Sequence, residues 1–181
     1  MGYSARDTPV FLHTGGSINK IIYIRPQDKY LHSYWETFDA VARERKYLAS
    51  TQRFPFESTV EFYKNITGKG LPRVFAIDTE TDRCIGWCDI IDKTETTGYL
   101  GTGLLKEYRN MGVGTAMLTA ALKQADEYGF SEVELQVLES NTRAIHVYKK
   151  LGFEHIAIRD KKHIWKDTME SENVLIMKKA L

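Results

Sequence analysis

The segment that most constrains the fold is a basic, glycine-containing turn at residues 109–114, which starts with Arg109 and contains Gly112 and Gly114. An apolar run at residues 98–105 precedes the turn, and an amphipathic helical pattern at residues 112–129 follows it. Glycines let the backbone approach a ligand closely, and a helix start presents unpaired N–H groups and a positive dipole end. The segment therefore predicts a strand, a turn and a helix that together hold a phosphorylated cofactor.

The other apolar patterns place this unit in an α/β domain. Strand-like runs lie at residues 20–25, 73–78, 83–91, 98–105, 132–138, 154–165 and 173–179. Helical spacing covers residues 31–48, a second segment in which Ser58 and Glu61 fit a capping box, and residues 112–129 and 141–151. This order predicts a mixed sheet flanked by helices, with residues 1–17 as a loose N-terminal extension and residues 18–181 as a single domain.

The composition narrows the classes of function. The 181 residues carry a formal net charge of +1, whereas nucleic-acid-binding domains usually carry a basic excess. No apolar stretch approaches the roughly 20 residues of a membrane span, and residues 1–17 lack a basic-then-apolar signal pattern. We therefore expect a cytoplasmic protein without a nucleic-acid or membrane partner.

The residue types that bind metals are scattered along the chain. Strand alternation places Cys84 and Cys88 on one face of an apolar run, and no second cysteine pair follows. None of the five histidines has a partner at the spacing of a metal site. We expect two buried free thiols and no metal.

Two stretches together resemble the GNAT superfamily of N-acetyltransferases. Residues 104–118 contain the glycine turn, which looks like that family's acetyl-CoA pyrophosphate motif, Arg/Gln-x-x-Gly-x-Gly/Ala. Residues 134–153 carry an order similar to the family's Asn…Ala…Tyr…Gly-Phe signature, here Asn141, Ala144, Tyr148, Gly152 and Phe153. A Walker A loop would need Gly-Lys-Ser/Thr, and a Rossmann fingerprint would need a glycine where this chain has Arg109 or Asn110.

The resemblance implies a central sheet in which the strand before the turn bulges and splays from its neighbour. Backbone groups at Leu104 and Leu105 would pair with the pantetheine arm of acetyl-CoA, and an N–H there would stabilise the thioester oxyanion. The pyrophosphate would lie beside Arg109, on a segment made of Met111, Gly112, Val113, Gly114 and Thr115. Asn141 would cap its helix and touch the cofactor.

The resemblance also implies that Tyr148 is the acid that protonates the departing CoA thiolate. Packing is the alternative explanation for this residue, because it lies on an apolar helical stripe. A carboxylate would take the proton of the amine, and Asp89, Glu95 and Glu134 are candidates because they lie on or near central strands. Glu44, on the long first helix, resembles a residue that some relatives place near the acceptor site, although a surface salt bridge would also explain it.

These observations predict an N-acetyltransferase in which an amine attacks the thioester of acetyl-CoA directly, because neither cysteine lies at the expected site. The acceptor is open, with a small-molecule amine favoured over a protein N-terminus, and a homodimer is one assembly that the pattern allows. The alternative is a catalytically inactive acyl-CoA-binding or interaction module on the same fold, since a fold does not guarantee an activity.

Overall fold

The computed structural model describes residues 11–12, 20–164 and 171–181, which form one eight-stranded sheet and four α-helices. The strands are β1 (Phe11–Leu12), β2 (Ile21–Ile24), β3 (Arg73–Asp78), β4 (Arg83–Asp92), β5 (Thr97–Leu104), β6 (Glu132–Leu138), β7 (Glu154–Ile164) and β8 (Ser171–Ala180). The helices are α1 (Leu31–Arg43), α2 (Phe56–Gly68), α3 (Val113–Tyr128) and α4 (Thr142–Lys150).

The sheet combines one parallel pair of strands with antiparallel pairs. Its strand order is β1-β2-β3-β4-β5-β6-β8-β7, and only β5 and β6 among these described neighbours run parallel. A parallel pair needs a crossover connection, which α3 provides between β5 and β6. The predicted α/β fold, with a mixed sheet flanked by helices, is confirmed.

Helices cover both faces of the sheet. On one face, α1 packs through Tyr34 and Val41 against Phe75 of β3 and Trp87 of β4. On the other face, α3 and α4 bury an apolar stripe against the central strands, with members that include Met117, Ala121, Leu135, Tyr148 and Phe153. Burial on both faces explains why β3 is buried along its whole length. Within the described residues, no helix has the length and apolar character needed to cross a membrane.

Glycines define both ends of α3. Gly112 precedes the helix with φ of +83°, and Gly129 follows it with φ of +105°. Both angles lie in the left-handed region, where a residue with a side chain is strained. The N–H groups of Gly129 and Phe130 both donate to Ala125 O, so the residues that follow α3 satisfy a carbonyl of its last turn.

The first two helices differ from their predicted extents. The apolar spacing predicts a helix as far as residue 48, but α1 ends at Arg43, where Arg45 adopts φ of +51°. Glu44 is therefore the C-cap of α1 and not part of a long helix. The second helix begins at Phe56, so Ser58 lies inside α2 and the predicted capping box is wrong.

A β-bulge separates the two cysteines, which are both free and buried as predicted. The register of β3 with β4 shifts at this point and leaves Ile85 as the extra residue. Cys84 consequently belongs to the core under α1, whereas Cys88 belongs to the core under α3 and α4. The prediction that both thiols share one face of the strand is therefore wrong.

Part of the segment predicted as an N-terminal extension joins the sheet. Phe11 and Leu12 pair with Tyr23 and Ile22 of β2. The rest of residues 1–17 lies outside the described part of the chain.

A buried ion pair joins β3 to β4 beneath α1. Arg73 Nε lies 2.5 Å from Asp89 Oδ1, and the two side chains are 2% and 10% exposed. Aromatic rings surround the guanidinium, whose carbon lies 4.7 Å from the ring centroid of Tyr34 and 5.1 Å from that of Phe75. Burial raises the pKa of Asp89, and the charge of Arg73 opposes that shift. Each buried charge therefore depends on the other.

Removing one partner of this ion pair should cost more stability than removing both. We expect Arg73→Met to lower the free energy of unfolding by about 3–5 kcal/mol, because the substitution leaves the Asp89 carboxylate buried without its partner. Urea denaturation at neutral pH measures the loss. The double variant Arg73→Met, Asp89→Leu is the matched control and should recover most of the stability. A double variant as unstable as the single one would contradict this account.

Candidate functional site

The pairing of β5 with β6 stops early and leaves an opening in the sheet. The last paired residues are Leu100 and Leu135. Beyond them, β5 stays paired with β4 as far as Leu104, whereas β6 stays paired with β8 as far as Leu138. The two strands therefore diverge, which confirms the predicted splayed pair. The predicted bulge is wrong for this edge, because the register of β5 with β4 is unbroken.

Hydrogen-bond alternation decides which backbone groups of β5 face this opening. The Leu105 N–H donates to Ile85 O at 3.0 Å, so odd-numbered residues of β5 bond to β4. The N–H and C=O groups of the even-numbered residues therefore face β6. Past Leu100 these groups belong to Thr102 and Leu104, which have no strand partner on that side among the described residues. Leu104 presents a free N–H to the opening, whereas Leu105, contrary to expectation, does not.

The glycine turn forms one wall of a cleft of about 200 Å³ at this opening. No side chain caps α3, so the first N–H groups of the helix have no side-chain partner. A Cβ placed on Gly112 would meet no atom within 4 Å, and one placed on Gly114 would meet only Leu104, at 3.8 Å. The space beside the start of α3 is therefore open to a ligand.

The cleft brings together most of the predicted site residues. Its walls include Leu104, Arg109, Gly112, Gly114, Thr115, Asn141 and Tyr148. Four predicted residues, Glu44, Leu105, Met111 and Val113, are not on its walls, and the Val113 side chain is buried in the core. The walls also include Tyr47, Thr102 and Arg143, which the sequence interpretation missed. Strand alternation counted back from the turn is the signal that could have identified Thr102.

Tyr148 lines the cleft from α4 while its ring packs in the core. The centroid of its ring lies 5.8 Å from that of Phe153, and the residue is 7% exposed. Burial raises the pKa of Tyr148 well above its usual value, and nearby Cys88 and Tyr99 add to the shift. The phenol is therefore protonated at neutral pH, and its oxygen has no hydrogen-bond partner among the described residues. These properties make it an available hydrogen-bond donor at the cleft.

The first turn of α4 contributes a cap and a positive charge. Asn141 Oδ1 accepts a hydrogen bond from the Ala144 N–H at 3.3 Å, which confirms the predicted cap. Asn141 also lines the cleft. Arg143 is exposed at the cleft, and no ion pair engages it within the described residues. Its charge is therefore available to an anionic ligand.

Protein groups already engage the Arg109 guanidinium. Nη1 and Nη2 donate to the two carboxylate oxygens of Glu44 at 2.7 and 2.5 Å, and Nε and Nη2 donate to Leu104 O at 2.9 and 2.7 Å. This pair ties Glu44, at the end of α1, to a residue of the cleft wall, although Glu44 itself does not line the cleft. The partners lie 65 positions apart, which is why sequence spacing does not indicate their contact.

The three candidate carboxylates lie away from the cleft walls. Asp89 is bound to Arg73, and Glu95 is exposed in the turn between β4 and β5. Glu134 is buried on β6, where its Oε2 forms an ion pair with Lys93. Its Oε1 has no hydrogen-bond partner among the described groups. None of the three contacts the cleft directly. Over the same residues, no three His, Cys, Asp or Glu side chains cluster so as to hold a metal ion.

Comparison with known proteins identifies relatives of the chain. The family described as "Acetyltransferase (GNAT) family" matches residues 29–153. A protein from Danio rerio named N-alpha-acetyltransferase 50 is 32% identical over 133 residues, which cover 71% of this chain and 76% of that relative. A protein from Sulfurisphaera tokodaii named N-alpha-acetyltransferase is 46% identical over 56 residues, which span only 30% of this chain and 34% of that relative.

A solved structure shares the architecture. The structure of yncA from Salmonella typhimurium with its cofactor acetyl-CoA has a TM-score of 0.82 to this chain. The match covers 90% of this chain and 94% of that one at 12% sequence identity. At this identity the likeness shows the fold alone.

Proposed function

The chain belongs to the GNAT family of acetyltransferases and is an acyltransferase, and from this premise we propose that it moves an acetyl group from acetyl-CoA to a primary amine. The observation that carries the proposal is the opening between β5 and β6. There the free backbone groups of Thr102 and Leu104 meet the start of α3 and Tyr148 in one cleft. The structural neighbour with acetyl-CoA as its cofactor supports the choice of donor.

The opening suits an extended ligand that carries amide groups. Thr102 offers an N–H and a C=O, and Leu104 offers an N–H, at the spacing of a free strand edge. An extended chain with its own donors and acceptors would add to this edge as a further strand does. The pantetheine arm of CoA has that chemistry, so it would run along β5 toward Leu104.

The start of α3 would receive the pyrophosphate. The N–H groups of Val113, Gly114 and Thr115 belong to the first helical turn, where the dipole favours an anion. Val113 would contribute only its backbone, because its side chain is buried in the core. Arg143 would add a charge-assisted contact from the first turn of α4.

The free N–H of Leu104 would serve the chemical step. Acetyl-CoA supplies a thioester whose carbonyl carbon an amine attacks. The C–N bond forms, the C–S bond breaks, CoA leaves as its thiolate, and the proton that the amine nitrogen loses passes to solvent. The Leu104 N–H would donate to the carbonyl oxygen as negative charge develops there, and such a donor counts most when it is already in place. Neither Cys84 nor Cys88 lines the cleft, which favours direct attack by the amine over a covalent enzyme intermediate.

Tyr148 would donate a hydrogen bond to the departing sulfur. A thiol has a pKa of about 8.5, below that of an ordinary tyrosine at about 10, and burial raises the pKa of Tyr148 further. Full proton transfer from the phenol to the thiolate is therefore uphill. A hydrogen bond to the charged sulfur avoids that transfer and contributes about 1.5–3 kcal/mol.

A peptide α-amine is the acceptor that the site favours. Two relatives are named N-alpha-acetyltransferases. An α-amino group has a pKa of about 7.7–8.0, so a useful fraction is neutral at neutral pH, whereas a lysine-like amine at about 10.4 is almost fully charged. None of the candidate carboxylates lines the cleft, and an α-amine depends least on such a base. A small-molecule amine is the second acceptor to test.

An acceptor screen tests the proposed function. Acetyl-CoA consumption and product mass are measured with peptides that differ at the first residue and, separately, with small-molecule amines. The proposal expects a mass increase of one acetyl group on the α-amine of at least one peptide. Tight acetyl-CoA binding without turnover on any amine would favour the inactive module, and no acetyl-CoA binding would overturn the proposal.

Loss of the Tyr148 hydroxyl should slow turnover without weakening cofactor binding. We expect Tyr148→Phe to lower kcat by about 10- to 100-fold, the loss of one hydrogen bond to a charged group. The dissociation constant of acetyl-CoA, measured by calorimetry, should change little because the ring stays in the core. Tyr128→Phe, on the exposed side of α3, is the matched control. Equal losses in kcat and affinity would make Tyr148 a binding or packing residue.

The two glycines that flank α3 provide a test of the phosphate site. Gly112→Ala and Gly129→Ala each place a side chain at positive φ, so each should lower the free energy of unfolding by about 1–2 kcal/mol. Only Gly112→Ala should also weaken acetyl-CoA binding severalfold, because only Gly112 borders the cleft. Thermal unfolding and calorimetry separate the two effects. Unchanged affinity in Gly112→Ala would contradict the assignment.

A further inference from the structure

Protein groups already occupy most of the hydrogen-bonding capacity of Arg109, unlike that of an arginine whose guanidinium is free to bind an anion. Four hydrogen bonds engage its guanidinium, two to the Glu44 carboxylate and two to Leu104 O. The side chain is 11% exposed, and the guanidinium carbon lies 5.0 Å from the ring centroid of Tyr47. The paired carboxylate offsets its charge, and a bidentate pair fixes its plane. A phosphate would meet a neutral ion pair with few free donors.

We infer that Arg109 is a positioning residue that holds the Leu104 peptide and the end of α1 at the opening, and that it is not a phosphate ligand. This inference rests on the proposed function, because it assigns a role in the same site. The hydrogen bonds and the burial of Arg109 support it independently of the family motif, in which the resemblance places Arg109 beside the pyrophosphate.

The Leu104 carbonyl explains why the reaction would need such a residue. It faces the opening on the same side of β5 as the Leu104 N–H, which would donate to the thioester oxygen. An uncovered carbonyl there would present negative potential beside an oxygen that becomes negative. Arg109 covers this carbonyl with two hydrogen bonds and restricts rotation about the Leu104 backbone. Its effect should therefore appear in the transition state more than in cofactor binding.

Glu44 has a matching role. It follows α1 directly and lies beside the connection to α2, so its pair with Arg109 joins that connection to the glycine turn. Breaking the pair from either side removes the same constraint. Glu44 and Arg109 should therefore behave as one unit in a double-variant analysis.

The experiment compares a charge-conserving substitution with removal of the side chain. Arg109→Lys keeps a cation but loses the planar fork, and Arg109→Ala loses both. If Arg109 positions Leu104, both variants lower kcat by tenfold or more, and the dissociation constant of acetyl-CoA changes less than threefold in calorimetry. Glu44→Ala gives a similar loss of kcat, and adding it to Arg109→Ala costs little more.

The two arginines on the cleft walls, Arg109 and Arg143, should affect different quantities, the first kcat and the second the dissociation constant of acetyl-CoA. Arg143→Gln, which removes the cation of α4 that lines the cleft, raises the dissociation constant of acetyl-CoA severalfold and more strongly at low salt. Lys149→Gln makes an equal charge change elsewhere on α4 and should alter neither kcat nor the dissociation constant of acetyl-CoA. Circular dichroism and thermal unfolding confirm that each variant is folded.

The outcomes separate this inference from the proposed function. A large rise in the dissociation constant for Arg109→Ala that Arg109→Lys largely avoids would overturn the inference, because a point charge would then suffice. Full kcat in Arg109→Ala would also overturn it. No turnover by the unsubstituted chain on any amine would count against the proposed function, and the calorimetric comparison of the Arg109 variants would still decide the present inference.

Discussion

The site depends on one constraint, which is that β5 and β6 each remain bound to their outer neighbour after they stop pairing with each other. β5 follows β4 to Leu104, and β6 follows β8 to Leu138. Gly103 reinforces the first of these contacts, because a Cβ there would lie 2.2 Å from the Trp87 ring. The glycine lets β5 lie close over that ring. β4 and β8 thus keep the two strands apart. Backbone groups of β5 stay unpaired at the opening, whereas in a continuous sheet they would hydrogen-bond to β6.

Most of the recognition that we propose would come from backbone groups and not from side chains. Thr102 and Leu104 contribute unpaired strand groups, and the first turn of α3 contributes unpaired N–H groups. Backbone donors need no rotamer ordering, so a rigid scaffold presents them at low entropic cost. The side chains at the cleft have more limited tasks. Tyr148 offers one hydrogen-bond donor, and Arg109 restrains the Leu104 peptide.

Local patterns in the sequence identified the features that depend on near neighbours. The order of strands and helices along the chain, the helix that follows the glycine turn and the Asn141 cap are confirmed, because each follows from residues a few positions apart. The features that were missed depend on distant partners. Glu44 and Arg109 lie 65 positions apart, and the bulge at Ile85 depends on the register of β3.

Backbone geometry explains the remaining differences. Apolar spacing continues past Arg43, but α1 ends there. Arg45 adopts a positive φ just beyond that end, and apolar periodicity gives no sign of such an angle. Thr102 escaped notice for another reason, because its side chain is ordinary and only the alternation of its backbone groups makes it a candidate. The proposed roles of Tyr148, Asn141 and the phosphate turn stay predictions, supported by the cleft that collects them.

Amide hydrogen exchange during titration with acetyl-CoA tests the central claim most directly. In the free protein, the amides of Thr102 and Leu104 should exchange faster than those of Gly101 and Gly103, which bond to β4. Saturating acetyl-CoA should slow exchange at Thr102 and Leu104 and leave the slow amides slow. Binding of acetyl-CoA with no change at Thr102 and Leu104 would show that the opening does not hold the cofactor, and would contradict the account.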